Sequence, residues 1–257
     1  MHPILFEAGP ITIYSYGFLI ALGAGLGFTY MWRQSKKEFG ITFDQANTLF
    51  IILIVAGVVG GKLFMVFEDP SHYLKNPGKL ISSSGFVFYG SLLFCIPTML
   101  WFFRKNKLPV LAMLDIMAIV TCIVHGFGRL GCFMAGCCYG VPTDSWLGVI
   151  FTDPVCQAKP LNTPIHPTQL YESTFIFMLM TGLFILKARK KFDGQVFLVY
   201  LVVYAIGRSI IETFRGDIDR GFVIKDILSN SQFISLLMAA TAVYFYVKLS
   251  RKVKFNI

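Results

Sequence analysis

The sequence predicts an all-α, polytopic membrane protein with about seven transmembrane helices, its N-terminus outside, its C-terminus cytoplasmic and a loop cap on the outer face. Three observations carry that expectation. Hydrophobic residues make up 55% of the chain and charged residues 14%, with a mean hydropathy of +0.65, which excludes an ordinary soluble domain. Seven apolar runs are each long enough to cross about 30 Å of hydrocarbon as a helix. The basic residues gather at every second connection between those runs.

The runs are Ile11–Trp32, Thr48–Phe67, Gly85–Phe103, Pro109–Phe127, Leu170–Leu186, Val196–Phe214 and Gln232–Leu249. Alternate connections hold Arg33/Lys36/Lys37, Arg104/Lys105/Lys107, Lys187/Arg189/Lys190/Lys191 and Lys248/Arg251/Lys252/Lys254. The other side holds half as many: Lys75, Lys79, Arg129, Lys159, Arg215, Arg220 and Lys225. The positive-inside rule therefore sets the orientation. A net charge of +9 does not point to nucleic acid, because these cations form no patch on a soluble face. The opening MHPILFEAGP has neither a basic n-region nor a small-residue cleavage site, so no signal peptide is expected and Met1 is retained.

The longest connection, about 128–169, is expected to form an ordered outer cap, with Pro142, Pro154, Pro160, Pro164 and Pro167 punctuating it. The whole chain, 1–257, reads as one transmembrane domain without internal repeats, its extramembrane parts too short to bury a core of their own. The cap opens with His125 to Gly140, HGFGRLGCFMAGCCYG. Gly126, Gly128, Gly131, Gly136 and Gly140 predict backbone turns that come close to a ligand, and Arg129 adds a permanent cation with a planar fork of donors. Phosphate matches that pair of features.

Charges inside membrane spans are costly and mark a site or a partner. Lys62, Asp115, Glu172, Arg208 and Glu212 are such charges. Tyr204, Arg208 and Glu212 follow at i, i+4 and i+8 and share one helix face near the outer leaflet, with Arg215 just beyond. A mutual ion pair that lets the helix insert fits this spacing; Tyr204 and Arg129 on the same side of the membrane favour a polar cavity. Lys62, after Gly60 and Gly61, fits snorkelling and a phosphate contact equally. Asp115 is expected to be a helix-packing hydrogen-bond partner. His166 to Glu172, HPTQLYE, reads as a loop entering a helix, with Pro167 near the first turn and Glu172 at the positive terminus. Capping accounts for part of this motif, and His166 and Tyr171 beside the cavity add a site role.

Cys95 and Cys122 fall within spans as small apolar residues. Cys132, Cys137, Cys138 and Cys156 belong to the outer connection, where structural disulfides or buried thiols are expected. A nucleophilic or redox role for Cys132, Cys137 or Cys138 beside Arg129 is the alternative. His125 with these three cysteines would make four metal ligands, but C-x4-C-C matches no standard zinc spacing, so no metal is expected.

Taken in order, several of these motifs resemble those of the bacterial prolipoprotein diacylglyceryl transferases. They are Tyr16-Gly17, Gly60-Gly61-Lys62, Gly85–Ser91, Gly128-Arg129-Leu130-Gly131 with Phe133, Gly136 and Gly140, His166–Glu172, and Tyr204/Arg208/Glu212/Arg215. The family transfers the diacylglyceryl group of phosphatidylglycerol to a lipobox cysteine thiol of a preprolipoprotein, forming a thioether and releasing glycerol phosphate. The resemblance implies a transferase of a bacterial inner membrane, with its site on the outer side. Its partners would be a phosphatidylglycerol-like phospholipid, a preprolipoprotein signal peptide and membrane lipids, without nucleic acid, cofactor or metal. It assigns Arg129 and Arg208 to the phosphate, Tyr204 and Glu212 to orienting them, and Tyr16 to the same cavity. Tyr89 and His166 complete the catalytic candidates; Lys62, Gly128, Gly131, Gly140, Tyr171 and Glu172 join Tyr16 as substrate-binding candidates. Two departures stand out. Cys132 and Cys137 occupy positions where the family signature has Asn and Glu, and Tyr89-Gly90-Ser91 replaces His-Gly-Gly. The second leaves Tyr89, His125, His166 or a cysteine to serve as base. A lipid transferase with another acceptor and a phospholipid-binding or transport protein are the competing readings.

Overall fold

The computed structural model describes residues 2–9, 11–75, 78, 86–216, 222–224 and 228–255. Lys79, Gly85, Arg220 and Lys225 lie outside the described residues. Within them run seven long helices: α1 Ser15–Phe39, α2 Phe43–Glu68, α4 Phe88–Lys105, α5 Val110–Ala135, α6 Thr168–Ala188, α7 Gln195–Glu212 and α8 Asn230–Phe255, with a short α3 at Pro70–Lys75. α2, α5, α6, α7 and Asn230–Lys252 of α8 are each long and apolar enough to cross a membrane. Glycines, aromatic residues and terminal bases dilute the apolarity of α1 and α4. The protein is an all-α polytopic membrane protein. Exposed Ile51, Val55, Ile185, Ile206, Ile210 and Leu236 suit faces turned to lipid.

Each predicted run lies largely on one long helix, but two boundaries are wrong. Ile11–Tyr14 is not helical; it forms strand β2, antiparallel to β1 Ile4–Ala8, with Gly9 at φ 58 between them. The β-branched Ile11, Thr12 and Ile13 fit a strand better than a first helical turn. Ser15 closes the hairpin, its amide and hydroxyl donating to the carbonyls of Pro3 and His2 at 2.9 and 2.6 Å. The second correction concerns α5, which continues past Phe127 to Ala135. Arg129, Gly131 and Cys132 are therefore helical, and among the glycines from Gly126 to Gly140 only Gly136, at φ 74, has a positive φ. α2 begins with a capping box between Thr42 and Gln45.

The chain forms two compact units, Met31–Met113 and Met1–Tyr30 with Leu114–Ile257. In the first, α2 packs on α4 where Gly60 meets Gly90, and Ser91 Oγ donates to the Gly57 carbonyl at 2.8 Å. Small residues let these two backbones approach. In the second, α5, α6 and α7 share a core of Ile119, Cys122, Ile176, Leu183, Val196 and Tyr200. Asp115, fully buried, accepts from Lys190 Nζ and from the amides of Gly194 and Phe197, all at 3.0 Å. It thus caps α7, whose own N-cap residue is a glycine, and fills the hydrogen-bonding role expected of it.

Between α5 and α6, β3 Val149–Ile150 pairs antiparallel with β4 Pro164–Ile165. Phe151, Cys156, Ala158 and Ile165 make a small apolar cluster beneath them, packed against Phe133 of α5. Phe151 and Ile165 are fully buried. A third short pair joins β5 Phe222–Ile224 to β6 Leu228–Ser229.

Candidate active site

Helical spacing builds the site from three elements. α5 presents His125, Arg129 and Cys132 on one stripe; α6 opens with Thr168, Gln169, Glu172 and Ser173 buried; α7 presents Tyr200, Tyr204, Arg208 and Glu212 at four-residue intervals. Ser173 Oγ ties α6 to α5 by donating to the Gly126 carbonyl at 3.1 Å.

Glu172 is the hub. Its carboxylate, 3% exposed, places one oxygen 3.1 Å from His125 Nε2 and the other 3.0 Å from Arg129 Nε. A buried carboxylate needs such partners, and one that engages Nε leaves the outer nitrogens of the guanidinium fork for another anion. The same His125 nitrogen is 3.3 Å from Arg129 Nε. It can accept from Arg129 when unprotonated or donate to Glu172 when protonated, so its proton decides which bond exists. The His125 ring lies 5.6 Å from Tyr204, which stacks on Tyr200 at 5.7 Å. Arg208 pairs with Glu212 one turn on at 2.6 Å, with exposures of 12% and 4%.

His166 and Tyr171 form a second group: His166 Nδ1 is 3.0 Å from the Tyr171 hydroxyl, and both rings pack edge-on against Phe214. Gly140 holds this group to the end of α7. Its amide donates to the His166 carbonyl at 2.9 Å, it bridges to Arg215, and an added Cβ would meet His166 and the Phe214 carbonyl at 2.6 Å. Gly131 receives the start of α1, where a Cβ would lie 3.1–3.3 Å from Tyr16. Gly128 faces open space. Lys62 lies half-buried in α2 and Tyr89 exposed in the first turn of α4, both in the Met31–Met113 unit.

All six cysteines are free thiols; of the two arrangements expected for the outer four, disulfides are not formed, and Cys156 is a buried thiol. Instead the Sγ atoms of Cys132, Cys137 and Cys138 gather within 4.8 Å of one another. Hydrogen bonds from Cys132 and Cys137 hold the Cys138 thiol well below its usual pKa; those with Cys132 and Cys138 push Cys137 up. Gln169 Nε2 donates to the Cys137 carbonyl at 2.6 Å and Thr168 Oγ1 to that of Cys138 at 2.7 Å. Gln169, Thr168 and Ser173 were invisible as contributors in the sequence, where the HPTQLYE motif drew attention to its charged and aromatic members. His125 carried a usable signal: it stands four residues before Arg129, on the same face.

The chain matches the family described as Prolipoprotein diacylglyceryl transferase over residues 3–248. It is 38% identical over 247 residues to the phosphatidylglycerol–prolipoprotein diacylglyceryl transferase of Clostridium tetani, covering 96% of this chain and 97% of that one. It is 34% identical to the second such transferase of Clostridium perfringens, over 96% and 94% of the two chains, and 31% identical to that of Dehalococcoides mccartyi, over 98% and 95%.

Proposed function

We propose that this chain, which belongs to the prolipoprotein diacylglyceryl transferase family, transfers the diacylglyceryl group of phosphatidylglycerol to a prolipoprotein cysteine thiol and releases glycerol phosphate. The observation that carries the proposal is the buried cluster in which Glu172 holds Arg129 and His125 while Arg208 pairs with Glu212. Displacing a phosphate ester at carbon leaves a second negative charge on the departing phosphate. Two guanidinium groups fixed by carboxylates in a low-dielectric site stabilise that charge without reorganising as it develops. Tyr204 supports His125 from α7, and Tyr16 and the open space beside Gly128 offer room for the lipid. His166 and Tyr171 would line the acceptor side.

The chain would act as one membrane domain of a bacterial inner membrane, N-terminus outside, with the connection from α5 to α6, residues 136–167, capping a site that faces outward. The basic clusters support that orientation. The test is glycerol phosphate release by the purified protein in phosphatidylglycerol vesicles, given a lipobox peptide. Arg129→Ala and Arg208→Ala should each lower the rate by about 100-fold or more. Binding of phosphatidylglycerol without any release would favour a lipid-binding protein, and release only with a non-lipobox thiol would favour another acceptor.

A further inference from the structure

Cys132, Cys137 and Cys138 have no part in the phosphate-binding half of the site, yet the fold goes to some length to bring them together. We propose that they bind one thiophilic divalent ion of the zinc class and leave its fourth position open to an incoming thiol. Their sulfurs lie within 4.8 Å of one another. Three thiolates each about 2.3 Å from one ion stand roughly 4 Å apart, so closing on a metal asks for a movement of under about 1 Å.

The spacing C-x4-C-C gives no such picture, because the geometry comes from the backbone turn at the end of α5. Cys132 sits in the last helical turn. Gly136 at φ 74 and Cys138 at φ 59 then bring the chain back, and the Cys137 amide donates to the Cys132 carbonyl at 3.1 Å. Positive φ is uncommon for a residue with a side chain and persists where surroundings enforce it. Here Gln169 and Thr168 enforce it by holding the two cysteine carbonyls. Outer groups that fix ligand orientation are a hallmark of working metal sites. Arg129, three residues before Cys132 on α5, and Arg215, whose backbone bridges to Gly140, would offset the net negative charge of three thiolates around a divalent ion. Among the described residues no fourth His, Cys or carboxylate joins the cluster, and His125 Nε2 is occupied by Glu172 and Arg129. Three protein ligands with a vacant position are the pattern of a catalytic rather than a structural zinc.

Resting on the proposed transfer reaction, the occupant of that position is the acceptor cysteine. Coordination deprotonates a thiol, and the proton leaves to water. The sulfur electron pair then forms the C–S bond at the glyceryl carbon as the C–O bond to phosphate breaks, and that bonding pair departs with glycerol phosphate. This would supply the deprotonation for which Tyr89 stands in place of the family's usual histidine.

The test is Co2+ titration of the reduced, chelator-stripped full-length protein. One equivalent should give a thiolate-to-cobalt charge-transfer band, displaced by Zn2+, unchanged in Cys95→Ser and lost in Cys132→Ser or Cys138→Ser. Gln169→Leu should weaken binding about 10–100-fold. Absence of the band in folded wild-type protein, or a disulfide within the trio in the protein as isolated, would overturn the site. A lipobox peptide should shift the band and its Cys→Ser counterpart should not; an unmoved band sinks the acceptor role. These spectra need no turnover, so they stand apart from failure of the transferase reading itself.

Discussion

Glu172 is the residue on which the candidate site depends most. Removing one member of a buried ion pair leaves the other charge uncompensated, so Glu172→Ala should cost about 3–5 kcal/mol by chemical denaturation and abolish transfer. A double-mutant cycle with Arg129→Ala should show coupling of about 1–3 kcal/mol; additivity would mean that the 3.0 Å contact carries no net interaction. The glycines divide cleanly. Gly140→Ala would force a Cβ against His166 and the Phe214 carbonyl and should cost about 1–3 kcal/mol. Gly128→Ala meets nothing in the protein and should leave the thermal midpoint unchanged or raised. If the space belongs to lipid, the same variant should raise KM for phosphatidylglycerol roughly tenfold, about 1.4 kcal/mol of lost binding. The roles of Arg129 and Glu172 as charged groups at the membrane were legible from residue type alone. Their mutual contact was not, because 43 positions separate them in the chain.

At the scale of elements, α5 joins two ends of the fold. Asp115 near its start caps α7, and Arg129 near its finish meets α6, about 21 Å apart at 1.5 Å per residue. Asp115→Asn should lower the thermal midpoint by removing a charged acceptor from Gly194, Phe197 and Lys190 together. Burial opposes the Lys190 ammonium, but its bonds to Asp193 and Asp115 prevail and raise its pKa above 10.5. Its contribution is therefore complete below the ordinary lysine value and is lost as pH rises through the higher folded value. Lys190→Met should accordingly lower the midpoint equally across about pH 6–9, with the penalty fading only in strong alkali. A penalty that varied within the neutral range would contradict this assignment. Element identities followed from hydropathy, yet the ends of α1 and α5 did not. Hairpin pairing claimed Ile11–Tyr14, and close packing against Tyr16 and Phe177 let glycines stay helical.

For the whole molecule, the orientation inferred from the basic clusters has a direct check. A reporter active only outside the cytoplasm should work when inserted at Asp153 and fail when fused after Lys252; the reverse pattern would turn the protein over and place the arginine cluster inside. The sequence by itself determined the membrane class, the approximate spans, the family resemblance and the charged residues that do not belong in lipid. Those properties are additive along the chain: hydropathy, period and motif order are all local sums. Only the tertiary structure decided that Glu172 joins His125 to Arg129, that Asp115 caps a helix 80 residues away, and that three cysteines with no standard spacing converge. Such contacts depend on helix rotation and on a turn at two positive-φ residues, and neither leaves a periodic trace in the sequence.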